Sequence, residues 1–186
     1  MRTDGTRVVL REPHQADREE FLERVRASRR FHRPWTYPPD SPEGFDALVR
    51  RAEVPTERLH LIRRARDDAI VGVANLSQIF LGDFRSAYLG YFGFRPYDGL
   101  GYMTEGVGLV LRLAFEDVGL HRVESNVQPG NDRSIALLER LGFRREGFSP
   151  RYLKIGGRWR DHVRYAILAE EFRARDGGPR GTHRTR

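Results

Sequence analysis

The feature that most constrains the fold is a strand that leads through a glycine-containing turn into a long helix. Residues 86–94 are rich in residues that favour strands, and Gly99 and Gly101 follow them. Beyond the turn, apolar residues recur at the 3.6-residue period of an amphipathic helix, namely Met103, Val107, Val110, Leu111, Ala114 and Val118. The first N–H groups of such a helix have no partner within it. Together with the helix dipole, they form a site for phosphate or pyrophosphate.

Two familiar nucleotide-binding motifs are excluded at this turn. The Gly-Lys-Ser/Thr sequence of a P-loop is missing, and so is the third glycine of the dinucleotide fingerprint. Residues 58–64, 69–80 and 86–94 also predict three consecutive strands in an antiparallel meander, whereas the dinucleotide fold requires a strand-helix-strand unit. A Gly-x-Gly sequence alone is a weak motif, and an ordinary tight turn is its other interpretation.

The 186-residue chain predicts one α+β domain over residues 1–170. The further predicted elements are, in chain order, a strand at 6–11, helices at 14–28 and 41–54, a strand at 121–128, a helix at 131–141 and strands at 143–148 and 159–169. Residues 171–186 are rich in Gly and Arg and have almost nothing to bury, which predicts a flexible tail.

Residues 31–40 predict a loop between the first two helices, because they contain three prolines. This loop also carries Trp35 and Tyr37. Two interpretations of these aromatic side chains remain open at this point. They could line a substrate groove, or they could anchor the two helices on the core.

Composition narrows the possible functions. The chain has no cysteine, which excludes a cysteine nucleophile, and its six histidines show no His-x-His or His-x-x-x-His spacing, so we expect no metal site. No apolar stretch is long enough to cross a membrane and residues 1–9 lack a signal-peptide core, which predicts a cytoplasmic protein without a membrane partner. The net charge of +7 favours anionic small molecules such as a phosphorylated cofactor. Because arginine is spread along the whole chain, a solvated surface is favoured over direct nucleic-acid binding.

Several short motifs surround the glycine turn in a characteristic order. They are Gly101-Tyr102-Met103-Thr104-Glu105, Leu120-His121-Arg122-Val123-Glu124, Asn131 with Ser134, Leu141-Gly142-Phe143 and Arg158-Trp159-Arg160-Asp161-His162. In this order they resemble the Gcn5-related N-acetyltransferase (GNAT) superfamily, most specifically its Rim-type branch of ribosomal-protein N-terminal acetyltransferases. The resemblance covers residues 6–170. It implies a mixed, twisted sheet of about seven strands flanked by about four helices, in which the two middle strands splay apart.

The resemblance implies acetyl-CoA as cosubstrate, without a metal. Main-chain groups of Phe92, Gly93 and Phe94 would pair with the pantetheine arm. The pyrophosphate would lie on the turn formed by Tyr97, Asp98, Gly99, Leu100, Gly101, Tyr102 and Met103. Asn131 would bind the pantetheine or phosphate arm, or act as an ordinary helix N-cap, and the two roles are compatible. Asp98 occupies a position where the family usually has Gln or Arg, and an acid beside pyrophosphate could weaken binding.

The catalytic residues are less clear from the same resemblance. Leu138 stands where many relatives have a tyrosine as general acid, so Ser134 is the candidate acid, with a capping role as the alternative. Asn126 stands where one Rim-type group has a carboxylate base, and an amide cannot act as a base. Glu124 and Glu105 are therefore the candidate bases, with another group or bulk solvent as further alternatives.

The predicted function is the transfer of an acetyl group from acetyl-CoA to a primary amine by direct attack. The expected acceptor is a protein N-terminal α-amine, as on a ribosomal protein. Two alternatives remain open: an acetyltransferase for a small amine such as an antibiotic or polyamine, and a non-catalytic module that binds acyl-CoA or associates with RNA. We expect a monomer or a homodimer.

Overall fold

The computed structural model describes residues 3, 4 and 6–176, and it contains one sheet of eight strands. The strands are β1 (Thr3–Asp4), β2 (Val8–Arg11), β3 (Arg58–Arg64), β4 (Ile70–Phe80), β5 (Ser86–Gly93), β6 (Arg122–Val127), β7 (Arg144–Ile155) and β8 (Arg158–Leu168). The helices are α1 (Arg18–Ala27), α2 (Arg29–His32), α3 (Pro42–Ala52), α4 (Tyr102–Arg112), α5 (Asp132–Leu141) and α6 (Ala169–Asp176), with a 3₁₀ turn at Gln15–Asp17 and a π-helical turn at Leu113–Asp117. The strand order is β1-β2-β3-β4-β5-β6-β8-β7. In the part of the chain described, no helix has both the length and the apolar character to cross a bilayer.

The centre of the sheet contains a parallel pair that opens. Strands β5 and β6 run parallel, whereas the other neighbouring strands described are antiparallel, and α4 lies in the crossover between the pair. Pairing is confined to residues 86–88 of β5 and residues 122–124 of β6. Beyond these residues the two strands part and leave a gap. The structure therefore confirms the predicted α+β fold with splayed middle strands.

The two faces of the sheet carry separate hydrophobic cores. Helices α4 and α5 cover one face, and α1 and α3 cover the other around Phe21 and Phe45, whose ring centroids are 5.0 Å apart. Because side chains alternate along a strand, β5 points Leu89 and Tyr91 toward the α4–α5 face and Phe92 toward the α1–α3 face. The gap between β5 and β6 is thus bordered by α4 and α5 on one face of the sheet and by α1 and α3 on the other.

Local capping explains why α3 and α5 lie close to their predicted positions. The Ser41 hydroxyl accepts a hydrogen bond from the Gly44 N–H at 3.2 Å, and the Asn131 side chain accepts one from the Ser134 N–H at 3.4 Å. Gly142 ends α5 in the left-handed region with φ of 94°. These signals are encoded within a few residues of each helix end.

The long helix after the glycine turn differs from its prediction in hydrogen bonding. Its α-helical part ends at Arg112, and the apolar stripe continues through the π-helical turn Leu113–Asp117. Ala114 and Phe115 are buried in this turn. The periodicity therefore predicted the buried face correctly but did not reveal the change of helix type.

The prediction of a tail over residues 171–186 is wrong for its first part. Residues 171–176 belong to α6, and the Phe172 ring packs against Phe115 at 5.4 Å between centroids. One buried aromatic side chain, rather than a continuous apolar stripe, holds this helix against the domain. The remainder of the predicted tail, 177–186, lies outside the described residues.

Candidate active site

The main-chain groups of alternate residues in β5 point toward β4 on one side and toward β6 on the other. The Phe94 N–H donates to the Val71 carbonyl at 2.9 Å. The Phe92 carbonyl oxygen lies close to Gly72 on β4, only 2.9 Å from where a Cβ on that glycine would be. The main-chain groups of Phe92 and Phe94 therefore point toward β4. The Ser125 hydroxyl on β6 donates to the Leu89 carbonyl at 3.1 Å. Because hydrogen-bonding direction alternates along a strand, the main-chain groups that face the gap belong to Leu89, Tyr91 and Gly93.

The turn between α1 and α2 docks on the end of β5. The Ser28 hydroxyl accepts a hydrogen bond from the Arg95 N–H at 2.9 Å, and His32 Nε2 lies 2.8 Å from the Gly93 carbonyl oxygen. Burial lowers the pKa of His32 against the opposing effect of this hydrogen bond, so the ring is neutral at physiological pH and Nε2–H is the donor. This end of β5 is thereby fixed beside the gap.

The turn between β5 and α4 exposes main-chain amides. Gly99 and Gly101 have φ of 75° and 82°, in the left-handed region that favours glycine, and Gly101 is the N-cap of α4. The first helical hydrogen bond joins the Glu105 N–H to the Gly101 carbonyl at 3.1 Å. The N–H groups of Tyr102 and Met103 therefore have no partner within the helix. Gly99 and Gly101 are exposed, so an anion could reach this part of the backbone.

Arginine side chains flank the turn on both sides. Asp98, the residue that departs from the family pattern, lies 3.7 Å from the Arg95 guanidinium and 3.5 Å from that of Arg133. On the other side, Arg7 Nη1 donates to the Leu100 carbonyl at 3.0 Å. The negative charge of Asp98 is thus opposed by two guanidinium groups, which weakens its repulsion of a bound phosphate.

The structure brings Ser134 into contact with a residue that the sequence did not single out. The Ser134 hydroxyl oxygen lies 2.6 Å from the phenol oxygen of Tyr91, and the phenol also lies 3.1 Å from the Ser134 carbonyl oxygen. Burial raises the pKa of Tyr91 despite the hydrogen bond to Ser134, so the phenol stays protonated at physiological pH. Leu138 is fully buried one turn later. The only sequence signal for Tyr91 was its place on the strand predicted to border the pantetheine arm.

The structure does not bring the two candidate bases together. Glu124 is opposite Tyr88 in the paired part of β5 and β6, and its carboxylate accepts a hydrogen bond from Arg122 Nε at 2.8 Å. Arg122 also forms an ion pair with Glu146. Because Val123 points into the α4–α5 core, Glu124 points to the opposite face of the sheet.

Glu105 forms hydrogen bonds on the α4 side of the sheet. Its carboxylate accepts from the Arg7 N–H at 2.6 Å, from Arg7 Nε at 2.9 Å and from the Val8 N–H at 3.4 Å. Partial burial raises the pKa of Glu105, but the hydrogen bonds and charge of Arg7 outweigh that effect and hold it below the ordinary value. The side chain thus joins the start of β2 to the first turn of α4.

Asn126 shares the face of Glu124 because it lies two residues further along β6. Its side-chain oxygen is buried, and no described residue donates a hydrogen bond to it. A buried acceptor without a donor costs free energy unless another molecule satisfies it. The position therefore suits a group that donates a hydrogen bond from the α1–α3 side of the gap.

Trp35 and Tyr37 connect the first part of the chain to two later loops. The Trp35 carbonyl accepts a hydrogen bond from Gln128 Nε2 at 2.9 Å, and the Trp35 ring lies beside Gly130. The Tyr37 ring packs on Gly156 at the turn between β7 and β8. The predicted loop is shortened at its start, because α2 extends to His32. These contacts join the segment to the loop between β6 and α5 and to the turn between β7 and β8.

The structure has a mixed sheet whose parallel central strands part beside a turn with exposed main-chain amides. This is the fold that the resemblance to acetyltransferases implies. The family model described as an acetyltransferase (GNAT) domain matches residues 7–144. The chain therefore belongs to the GNAT acetyltransferase family, whose enzymes use acetyl-CoA. This result confirms the resemblance and the enzyme class predicted from the sequence.

Relatives and solved structures agree with this assignment. The chain is 32% identical over 180 residues to the [ribosomal protein uS5]-alanine N-acetyltransferase of Escherichia coli (strain K12), a match that covers 92% of this chain and 93% of that protein. It is 43% identical over 104 residues to the probable N-acetyltransferase YjcK of Bacillus subtilis (strain 168), covering 56% of this chain and 58% of that protein. The structure of Mycobacterium smegmatis RimJ in complex with CoA-disulfide is similar, with a TM-score of 0.81, 28% identity and coverage of 91% of this chain and 89% of that one.

Proposed function

We propose that this protein transfers the acetyl group of acetyl-CoA to the N-terminal α-amine of a protein by direct attack. The observation that carries the proposal is the Ser134–Tyr91 pair beside the gap between β5 and β6. The similarity over nearly the whole chain to a ribosomal-protein-alanine acetyltransferase supports this class of acceptor.

The residues around the gap suit acetyl-CoA as cosubstrate. The exposed amides of the turn at 97–103 hold the pyrophosphate, and Arg95 and Arg133 offset the charge of Asp98. Tyr91 and Gly93 provide the gap-facing main-chain groups that pair with the pantetheine arm, in place of the predicted Phe92 and Phe94. The side chains of those two residues pack in the α1–α3 core, with their rings 5.6 Å apart. Asn131 caps α5, and in this proposal it also contacts the pantetheine or phosphate arm.

Ser134 is the general acid in this mechanism. Bound acetyl-CoA supplies a thioester carbonyl that a neutral amine attacks, with the C–N bond forming as the C–S bond breaks. The Ser134 hydroxyl donates its proton to the sulfur, which leaves as the CoA thiol, and the serine takes a proton back from water. When the Tyr91 phenol donates to Ser134 Oγ, the serine hydrogen is free to point into the gap. Tyr91 therefore acts through Ser134 as a positioning residue.

The acceptor amine requires only a weak base. An α-amine has a pKa near 8, so an appreciable neutral fraction exists near neutral pH, unlike a lysine side chain with a pKa of about 10.4. Glu124 accepts the proton through water, because its carboxylate lies on the acceptor side of the sheet, on the same face as Asn126. Asn126 Oδ1 accepts a hydrogen bond from the amine. Glu105 is assigned to the support of the turn rather than to proton transfer.

The test is acetylation of peptides that begin with a free alanine α-amine. The purified protein is incubated with acetyl-CoA and each peptide, thiol release is followed, and mass spectrometry locates the acetyl group. The expected product carries the acetyl group on the α-amine, and a peptide with a blocked N terminus and an internal lysine remains unmodified. Acetylation of polyamines alone, or calorimetric binding of acetyl-CoA without turnover on any amine, would overturn the proposal.

A further inference from the structure

A cluster of arginine side chains surrounds a cavity on the α1–α3 side of the sheet. The cavity has a volume of about 790 Å³ and is lined by Arg26, Ala27, Arg29, Arg30, Phe31 and Arg95. We call it the arginine pocket. Arg133 borders it, because its guanidinium lies 5.3 Å from the centroid of the Phe31 ring.

The arginine pocket has more positive than negative charge. Arg29 lies 3.1 Å from Asp40, and Arg95 lies 3.7 Å from Asp98. Arg26 and Arg30 are exposed and form no ion pair with any described residue.

Several arginine side chains elsewhere on the surface each lie close to a carboxylate. Arg11 lies 2.8 Å from Asp68, Arg18 lies 2.7 Å from Asp46 and Arg51 lies 2.6 Å from Glu57. The arginine pocket differs because its surplus charge converges on one concave site. Such a site attracts an anion from outside the chain.

The position of the arginine pocket relates it to the gap. Arg95 is two residues beyond Gly93, and its N–H is bound by Ser28 in the α1–α2 turn. Two extended residues span roughly 7 Å. A polypeptide whose terminal amine lies in the gap on the α1–α3 side would therefore pass the arginine pocket with the residues that follow the amine.

We infer that the arginine pocket binds acidic side chains of the acceptor polypeptide just downstream of its N-terminal amine. This inference rests on the proposed function and adds a sequence preference to it. Guanidinium groups bind carboxylates in a planar, bidentate geometry. Arg95 and Arg133 already lie 5.6 Å and 5.3 Å from the Phe31 ring centroid, which holds their guanidinium groups in place.

The same contacts disfavour a single-stranded nucleic acid as the occupant. Such ligands stack their bases on open aromatic rings. The Phe31 ring is only partly exposed and already carries two guanidinium groups. The pocket thus offers positive charge without a free stacking platform.

The test compares two peptides of equal length that begin with alanine, one with several glutamates downstream and one with glutamines in the same places. We expect the wild-type protein to acetylate the acidic peptide with a kcat/KM about fivefold higher or more, and the ratio to fall as salt is added. In the double variant Arg26→Glu with Arg30→Glu, the ratio falls to about one or below. The matched control is Arg50→Glu with Arg173→Glu, which changes the net charge equally at two exposed positions on α3 and α6. The control keeps the wild-type ratio.

Several outcomes would overturn the inference. Equal kcat/KM values for both peptides in the wild-type protein exclude it while leaving the proposed function intact. If neither peptide is acetylated, the proposed function fails and the inference falls with it.

A further assay uses acetyl-CoA and its analogue without the 3′-phosphate. If the double variant raises KM for acetyl-CoA alone and keeps the peptide preference, the pocket binds the cosubstrate phosphate instead. If it only loses affinity for a single-stranded RNA oligonucleotide, the occupant is nucleic acid. Thermal unfolding checks that each variant is folded.

Discussion

The phenol oxygen of Tyr91 lies 2.6 Å from the hydroxyl oxygen of Ser134, and this contact joins β5 to the first turn of α5. The two residues belong to the elements that border the gap in the sheet, because α5 follows directly on β6. The pair therefore connects the proposed cosubstrate-binding strand with the helix that carries the proposed acid.

Replacing Ser134 with alanine removes the proposed proton donor. We expect kcat to fall by about 100-fold, in the range of general acid catalysis, while the affinity for CoA measured by calorimetry changes little. The Asn131 cap is retained because it uses the Ser134 main-chain N–H. A variant with wild-type kcat would assign Ser134 to capping alone.

The Tyr91→Phe variant tests whether the phenol acts through Ser134. We expect kcat to fall by about tenfold, because the serine hydroxyl loses the donor that orients it. The double variant with Ser134→Ala should have the kcat of Ser134→Ala alone, because Tyr91 acts only by orienting the Ser134 hydroxyl. Multiplication of the two effects would instead show that Tyr91 contributes independently.

Gly99→Ala tests the exposed amides of the turn. A methyl group at this position crowds the backbone that a phosphate must approach, so we expect the Kd of CoA to rise by roughly fivefold or more. The control is Gly82→Ala in the turn between β4 and β5, because the two glycines have φ of 75° and 69° and open space at the Cβ position. Both variants lose about 1 kcal/mol of stability from the left-handed backbone, but the control keeps its CoA affinity. Equal CoA affinity in both variants would contradict binding at Gly99.

The pH dependence of stability tests the structural role of Glu105. The folded-state pKa of Glu105 is lowered. Its contribution to the free energy of unfolding is therefore fully present above the unfolded-state pKa of about 4.3 and is lost as pH falls through the folded-state pKa. We expect Glu105→Gln to lower the free energy of unfolding by about 1 kcal/mol at neutral pH, because its charge-assisted hydrogen bonds to Arg7 weaken. The difference from the wild-type protein should shrink in acid below the unfolded-state pKa. A difference that grows in acid would be inconsistent with this role.

Glu124→Gln tests the proposed base. We expect kcat/KM for a peptide α-amine to fall by about tenfold, because the amide cannot accept the proton. The comparison with Glu105→Gln is informative, since that variant should change stability more than turnover. An unchanged kcat/KM would indicate that bulk solvent accepts the proton.

Much of the fold could be predicted because its signals are local. Strand β3 has the bounds expected from its apolar run, and α5 begins after an asparagine cap and ends at a left-handed glycine. Helix α6 could not be predicted in this way. Among the side chains of α6 that the structure describes, the one large side chain that is buried is Phe172, and it packs on Phe115, far away in the sequence.

The candidate site divides in the same manner. The glycine turn, Asn131 and Ser134 could be located from motifs and spacing, because each lies at the end of a predicted element. The choice of Tyr91 and Gly93 as the gap-facing residues depends on the pairing of β5 with β4, since alternation along a strand gives no direction until one neighbour is known. The ion pair of Glu105 with Arg7 likewise joins residues far apart in the sequence, whereas Glu124 pairs with Arg122 only two residues away.

The sequence by itself determined the order of the longer strands and of helices α1, α3, α4 and α5, because hydrophobic periodicity and turn chemistry act over a few residues. It also located the caps of α3 and α5, and its motifs indicated the family. Only the tertiary structure decided which hydroxyl meets Ser134, that Arg7 binds Glu105 and where surplus arginine charge collects. Those properties depend on side chains that are brought together across long stretches of chain, and their distances are set by the packing of the whole sheet and its helices.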